Sequence, residues 1–228
     1  KTALTKTGAG NETSPGGNTF VGNATLTNEG SGQFNFGNGN TDDFQANLDV
    51  VNSGTSDMII FIKDASHNVD GDFTVTNSAT SASGDNNVWI GNNAANVIAF
   101  GGNVTLTNNG SARDNRIYFP HQGSATVGGT VDVVNASSGT FGYVILANST
   151  NSSLDITGVT TVTNSSTVSN DGIVLLGYQG DVTFGNDLDI VNSSTSNSAE
   201  VRCNYEDNSS NIYNGNITVQ STNTVNDG

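Results

Sequence analysis

The chain is poor in several residues on which common protein classes depend. It has one cysteine, Cys203, so no intrachain disulfide can staple it. Six lysines and arginines stand against 21 acidic residues, for a formal charge of −15. A nucleic-acid binder needs a basic stripe, and Lys1, Lys6, Lys63, Arg113, Arg116 and Arg202 form none by their spacing, so no nucleic-acid partner is expected. No run of ~18 apolar residues occurs, which argues against membrane insertion by a helix. Hydrophobic residues make up 33% of the chain, against roughly 45–50% in an average globular domain. Proline occurs twice. No signal peptide is visible, and the scarcity of tryptic sites suits an exposed surface.

Glycine, asparagine, serine and threonine dominate. They disfavour helix and, taken as composition alone, point to disorder. Their order says otherwise. The stretch FGGNVTLTNNG, residues 100–110, alternates apolar Val104 and Leu106 with polar Thr105 and Thr107. The same nine-position pattern, apolar-x-Gly-x-apolar-x-apolar-x-Asn, begins at Phe20, Phe44, Val69, Phe100, Val127, Ile156, Phe184 and Tyr213, giving eight ungapped copies spaced 24 to 31 residues apart, with Ala46 and Asn186 in place of the glycine in two of them and Thr160 at the fifth position of another. The seventh position is apolar without exception: Leu26, Val50, Val75, Leu106, Val133, Val162, Ile190 and Val219. The ninth is asparagine in seven of eight copies: Asn28, Asn52, Asn77, Asn108, Asn135, Asn164 and Asn192. A second short β-branched or aromatic run follows each block, as in Val88-Trp89-Ile90, Ile117-Tyr118-Phe119 and Tyr143 to Leu146.

One such unit cannot bury its apolar face, whereas stacked units form a continuous core. The pattern predicts an all-β fold, a right-handed parallel β-helix of about eight coils of 24–31 residues, right-handed because parallel crossovers are. Residues 20–228 are assigned to the coils and residues 1–19 to an incomplete preceding coil. Both ends lack the polar caps of a closed repeat array. Ala3 to Gly8 resembles Thr25 to Gly30, and Thr224 to Gly228 echoes Val168 to Gly172, so we expect an excerpt of a longer repetitive protein. The seventh-position residues face inward. The asparagines share that face at a bend, where stacked amides can pass hydrogen bonds from coil to coil. The third-position glycine marks a sharp corner. A leucine-rich repeat has an overlapping period, but its asparagine lies three residues past the last strand apolar rather than two, and no helix former follows here.

Parallel β-helices also host polysaccharide lyases and hydrolases, which need clustered carboxylates, often with Ca2+ and a basic residue. Asp42 and Asp43, with Asp70 and Asp72 nearly one coil on, are the best candidates. They read as a solvated acidic turn, because only Lys63 lies near, and no catalytic residue is assigned. His67 and His121 read as loop surface without metal-ligand spacing. The acidic balance could hold Ca2+ between coils or subunits, but the glycine-rich Ca2+ nonapeptide is missing, and no cofactor is required. Cys203, aligned with Leu175 and Phe119, reads as a small buried hydrophobe. Trp89, Tyr118, Tyr143 and Tyr178 read as core or coil-edge packing, with a sugar-stacking face as the alternative. The outward threonine pairs suggest ice-binding β-helices, but Asp49/Val51, Asp132/Val134 and Asp189/Val191 interrupt them. Val51, Val134 and Val191 are outward apolar spots that a lateral contact with another copy could bury.

Repeats such as FGGNVTLTNNG and FGNDLDIVNSS resemble those of giant secreted surface proteins of marine Bacteroidota. That family implies adhesins and appendage subunits exported by type IX secretion, including grappling-hook filaments that assemble from several chains. The resemblance implies an extracellular, cell-surface rod or filament used for attachment or capture, with lateral homo-oligomerisation and a cell-surface or glycan ligand. It carries no catalytic residue. The competing class is a carbohydrate-active β-helix, an enzyme or a lectin.

Overall fold

The structure, a computed structural model, describes residues 1–63, 66–81, 84–196, 198–206 and 209–222. The C-terminal echo at Thr224 to Gly228 lies outside these residues. Among the described residues there is no helix, and the strands form three parallel sheets of nine, eight and eight strands. The chain visits the sheets in a fixed cycle. Val104–Asn108 lies in the first sheet, Asp114–Phe119 in the second and Gly123–Val127 in the third, after which Val131–Asn135 pairs with Val104–Asn108. This is a parallel β-solenoid. At about 4.8 Å per rung, the nine strands of the first sheet extend about 40 Å.

The nine-residue block is a structural unit. It comprises the last residue of a third-sheet strand, a corner and a whole first-sheet strand, as in Phe100, then Gly101 to Asn103, then Val104–Asn108. Register is kept through the stack: Leu26 pairs with Val50, Val50 with Val75, Val75 with Leu106, and Leu106 with Val133. Seven seventh-position residues, Leu26 to Ile190, lie in one hydrophobic cluster with the first-position aromatics Phe44, Phe100 and Phe184. Burying each such side chain contributes roughly 1.5–3 kcal/mol, so the alternation alone suffices to choose which face turns inward. Phe20 stacks on Phe44 at 4.6 Å between centroids, and Phe184 on Tyr213 at 5.2 Å, both nearly coplanar.

Val219 departs from the expectation. It is in register with Ile190 but is 65% exposed, because no described strand stacks beyond Ile217–Ser221. Residues 1–19 contribute Thr2–Lys6 to the first sheet and Glu12–Thr13 to the second, so that coil is more nearly whole than expected. The corner glycine answers to stacking rather than to an unusual φ. A Cβ on Gly102 would lie 2.6 Å from the backbone of Gly71, and one on Gly129 would lie 2.6 Å from the carbonyl oxygen of Gly102. Where glycines stack, successive corners rest backbone on backbone; the blocks that begin at Phe44 and Phe184 carry Ala46 and Asn186 there instead.

Candidate functional site

The ninth-position asparagines close the first corner. Asn28, Asn52, Asn77, Asn108, Asn135 and Asn164 are wholly buried. Amide-to-amide bonds between coils occur at two steps, Asn108 to Asn135 at 3.4 Å and Asn135 to Asn164 at 3.3 Å. The commoner bond crosses the corner to the second sheet. Nδ2 donates to the carbonyl of Asn86 from Asn77 (2.8 Å), of Asn115 from Asn108 (3.0 Å), of Gly142 from Asn135 (3.0 Å), of Gly172 from Asn164 (2.7 Å) and of Ala199 from Asn192 (3.0 Å). The ladder is therefore a row of staples between two sheets. Asn52 has no side-chain partner among the described residues.

The acidic candidates do not form a catalytic cluster. Asp42 is buried and accepts bonds from the backbone and side-chain amides of Asn18, at 3.1 and 2.9 Å. Burial pushes its carboxyl upward against those bonds. Asn68 bridges Asp70, at 2.6 Å, and Asp43, at 3.5 Å, while Asp72 accepts from the backbone of Asn103 at 2.9 Å. No basic side chain joins them among the described ion pairs. Among the described residues no group of three or more His, Cys, Asp or Glu is placed to hold a metal ion.

His67 is not loop surface, while His121 lies in the bend between Asp114–Phe119 and Gly123–Val127 and is half-buried. His67 lies in the strand Ser66–Val69, is buried and stacks on Phe61 at 4.3 Å. Its Nδ1 accepts the backbone N–H of Asp42 at 3.1 Å, and burial depresses its pKa to about 4. His121 packs 4.5 Å from Trp89 and is likewise held near pKa 4 by burial. Cys203 pairs with Leu176, not Leu175, and is exposed on the last strand of the second sheet.

Val51, Val134 and Val191 share one outward file of the first sheet and are half-buried. They do not touch one another. Thr76 and Thr107 stand between Val51 and Val134, and Thr163 between Val134 and Val191. No contiguous apolar strip results on that face.

The contiguous strip lies on the outer face of the second sheet, and it gathers the aromatics whose role the sequence left open. One outward file reads Trp89, Tyr118, Ile145, Leu175, Arg202 and the next Arg116, Tyr143, Ile173, Glu200. Tyr118, Ile145, Ile173 and Leu175 form a second hydrophobic cluster, separate from the core, with Trp89, Tyr143 and Tyr178 packed on it. These strands therefore carry apolar side chains on both faces, unlike the polar outer face of the first sheet.

A groove of about 400 Å3 opens on this cluster. Arg116 spans its floor. The guanidinium makes a bidentate pair with Asp114 at 2.7 and 2.6 Å, reaches the Tyr118 hydroxyl at 3.2 Å and lies 4.9 Å above the Tyr143 ring. Desolvation is the largest influence and opposes that charge, but Asp114 and Tyr118 together outweigh it and hold the group above its ordinary range. The Tyr143 hydroxyl donates to Asp171 at 3.0 Å; burial and that carboxylate keep it protonated. At the far end Arg202 pairs with Glu200 and covers the Tyr205 ring at 4.7 Å, and Tyr205 stacks on Tyr178 at 5.6 Å. Asn148 and His121 close one side, 2.9 Å apart. Another cavity, of about 460 Å3, lies among Leu4, Phe20, Phe34 and Phe36, between strands at the start of the stack.

No family model, curated protein or solved structure matches the chain.

Proposed function

We propose that this chain is a structural and adhesive segment of an extracellular surface protein, a stiff rod that forms part of an appendage used for attachment or capture. The carrying observation is the single hydrophobic cluster that runs unbroken from Ala24 to Ile190 through in-register coils. Each coil covers its neighbour, so bending at any rung must open the shared core. That is a spacer's property. The polar outer face of the first sheet and the charge of −15 suit a solvated shaft. The repeat style shared with secreted Bacteroidota surface proteins supports the same setting. The carboxylates Asp42, Asp43, Asp70 and Asp72 are spent on structural hydrogen bonds, which favours a rod over a polysaccharide lyase or hydrolase.

Electron micrographs of the full-length product test the reading. Extended rods or filaments are expected, and compact globular particles would refute it. Lateral association through Val51, Val134 and Val191 is part of the proposal. Sedimentation of the chain should show self-association that Val134→Asp weakens; a monomer at all concentrations removes that part and leaves the rod.

A further inference from the structure

We propose that the tyrosine-lined groove on the outer face of the second sheet binds an uncharged oligosaccharide laid along the solenoid axis. The proposal deepens the adhesive reading, on which it rests for its setting, by naming a ligand class.

First, packing of the solenoid core does not account for the groove's residues. The solenoid core is complete without Tyr143, Ile173, Leu175 and Tyr178, which lie on the other side of the sheet. On the first sheet one outward file is polar throughout, Thr105, Asp132, Thr161, Asp189, and the other carries only the isolated valines Val51, Val134 and Val191. An apolar floor with a few converging polar groups is the composition of a small-ligand site, and about 400 Å3 falls within the usual range of about 300–1,000 Å3.

The second argument is charge. Both guanidinium groups already hold carboxylates, Arg116 with Asp114 and Arg202 with Glu200, and Asp171 takes the Tyr143 hydroxyl. The groove therefore offers aromatic faces beside planar, fixed, charge-matched hydrogen-bonding groups. Sugars present that pair of surfaces: apolar C–H faces for rings, and hydroxyls for amides, carboxylates and guanidinium edges. An anionic glycan would have to displace these internal pairs on a chain that already carries −15. A second copy of the chain would bring the same excess of negative charge, and an identical concave surface cannot fill the concavity.

The third argument is spacing. The outward files repeat once per rung, about 4.8 Å, which is close to the length of one extended pyranose residue. The groove's lining crosses four strands in register, from Tyr118 to Arg202, so sugar rings laid along it would pass one coil after another over the buried floor of Tyr118, Ile145 and Leu175.

Trp89 is the chain's single tryptophan and packs edge-on against Tyr118, which lines the groove, at 5.5 Å between centroids, so its emission reports on the site through that ring. The 228-residue chain is titrated with soluble hexasaccharides of β-1,4-glucose, β-1,3-glucose and β-1,4-mannose, and with an oligogalacturonate as the acidic probe. Trp89 fluorescence and saturation-transfer NMR are the readouts. At least one neutral probe is expected to bind, with contacts to tyrosine ring protons, and the acidic probe more weakly. Tyr178→Ala, which removes a half-exposed ring beyond the strand Asp171–Leu176, should weaken binding roughly tenfold, the loss of one aromatic contact, with circular dichroism unchanged. Tyr143→Phe keeps the ring and should retain most affinity. The proposal is overturned if no neutral probe binds, if the acidic probe binds more tightly, if Tyr178→Ala binds like the parent, or if that variant instead dissolves a dimer. Failure here leaves the micrograph test of the rod standing, and globular particles that still bind sugar would sink the rod alone.

Discussion

Asn52 and Asn135 occupy the same position of the repeat, at the end of a first-sheet strand, and both are wholly buried. Their expected contributions differ. Asn135 donates to the Gly142 carbonyl at 3.0 Å and to Asn164 at 3.3 Å, and accepts the Ser137 hydroxyl at 2.9 Å. Truncation to alanine removes two well-formed bonds, each worth about 0.5–1.5 kcal/mol net, and leaves the buried Ser137 hydroxyl without its acceptor, at about 1–3 kcal/mol. The sum is about 2–6 kcal/mol for Asn135→Ala. Asn52 holds a dehydrated amide with neither atom partnered among the described residues. Asn52→Ala relieves that penalty while opening a small void, so its net effect should lie within about 1 kcal/mol of zero.

The assay is equilibrium unfolding in urea followed by far-ultraviolet circular dichroism. Asn52 lies nearer one end of the stack, and coils of a solenoid can unfold unequally. Val50→Ala and Val133→Ala, in the same two strands, therefore calibrate position. After that correction Asn135→Ala must be the costlier of the asparagine pair. Equal losses, or a larger loss at Asn52, would refute the view that corner stapling rather than burial gives the ladder its value.

Inside and outside positions of one strand can be compared directly: Leu106→Ala should cost about 2–5 kcal/mol, whereas Thr105→Ala should stay within about 0.5 kcal/mol, both read from denaturant midpoints. His67 makes stability depend on acid. Its folded pKa, about 4, is below the ordinary 6.5, so the unfolded chain binds the proton first. The stabilisation is complete above pH 6.5, and about 3 kcal/mol of it is lost as pH falls to 4. Asp42, raised by burial, acts in the opposite direction. The measurement is therefore the difference between the parent and His67→Asn, and a difference that stays flat across that window contradicts the assignment. Gly142→Ala should destabilise the chain, since its Cβ would fall on the Ser137 side chain, and Ser137→Gly in the same chain should restore most of the loss.

Much of the fold was legible because one physical requirement recurs eight times. An apolar residue at every seventh position, with polar neighbours, allows only one face inward, and in-register pairing of Leu26, Val50, Val75 and Leu106 follows once coils stack. The third sheet was harder to see, because some of its strands are as short as Thr19–Phe20 and Asp43–Phe44, too short for alternation to show. His67 was misplaced for the same reason: the strand Ser66–Val69 is four residues of SHNV, which reads as loop. Cys203 does share the inward file of Phe119, Leu146 and Leu176 and is exposed on the last described strand of its sheet; the slip was to align Leu175 with them, one residue away and so on the other face.

That slip also hid the groove. Val144-Ile145-Leu146 and Val174-Leu175-Leu176 are uninterrupted apolar runs buried at every position, inside strands whose first-sheet counterparts alternate between buried and half-buried. Such a run means that both faces of the sheet are covered. If the inward file is Val144, Leu146, Val174 and Leu176, then Ile145 and Leu175 must lie outside, and something must cover them. The residues that do so, Tyr143 and Tyr178, come from the adjacent outward position and from the loop beyond, and no periodicity links them. Tyr205 and the two arginine–carboxylate pairs complete the wall across coils about 30 residues apart. The outer cluster was thus announced by the broken alternation, while its chemistry became visible only when the coils were stacked.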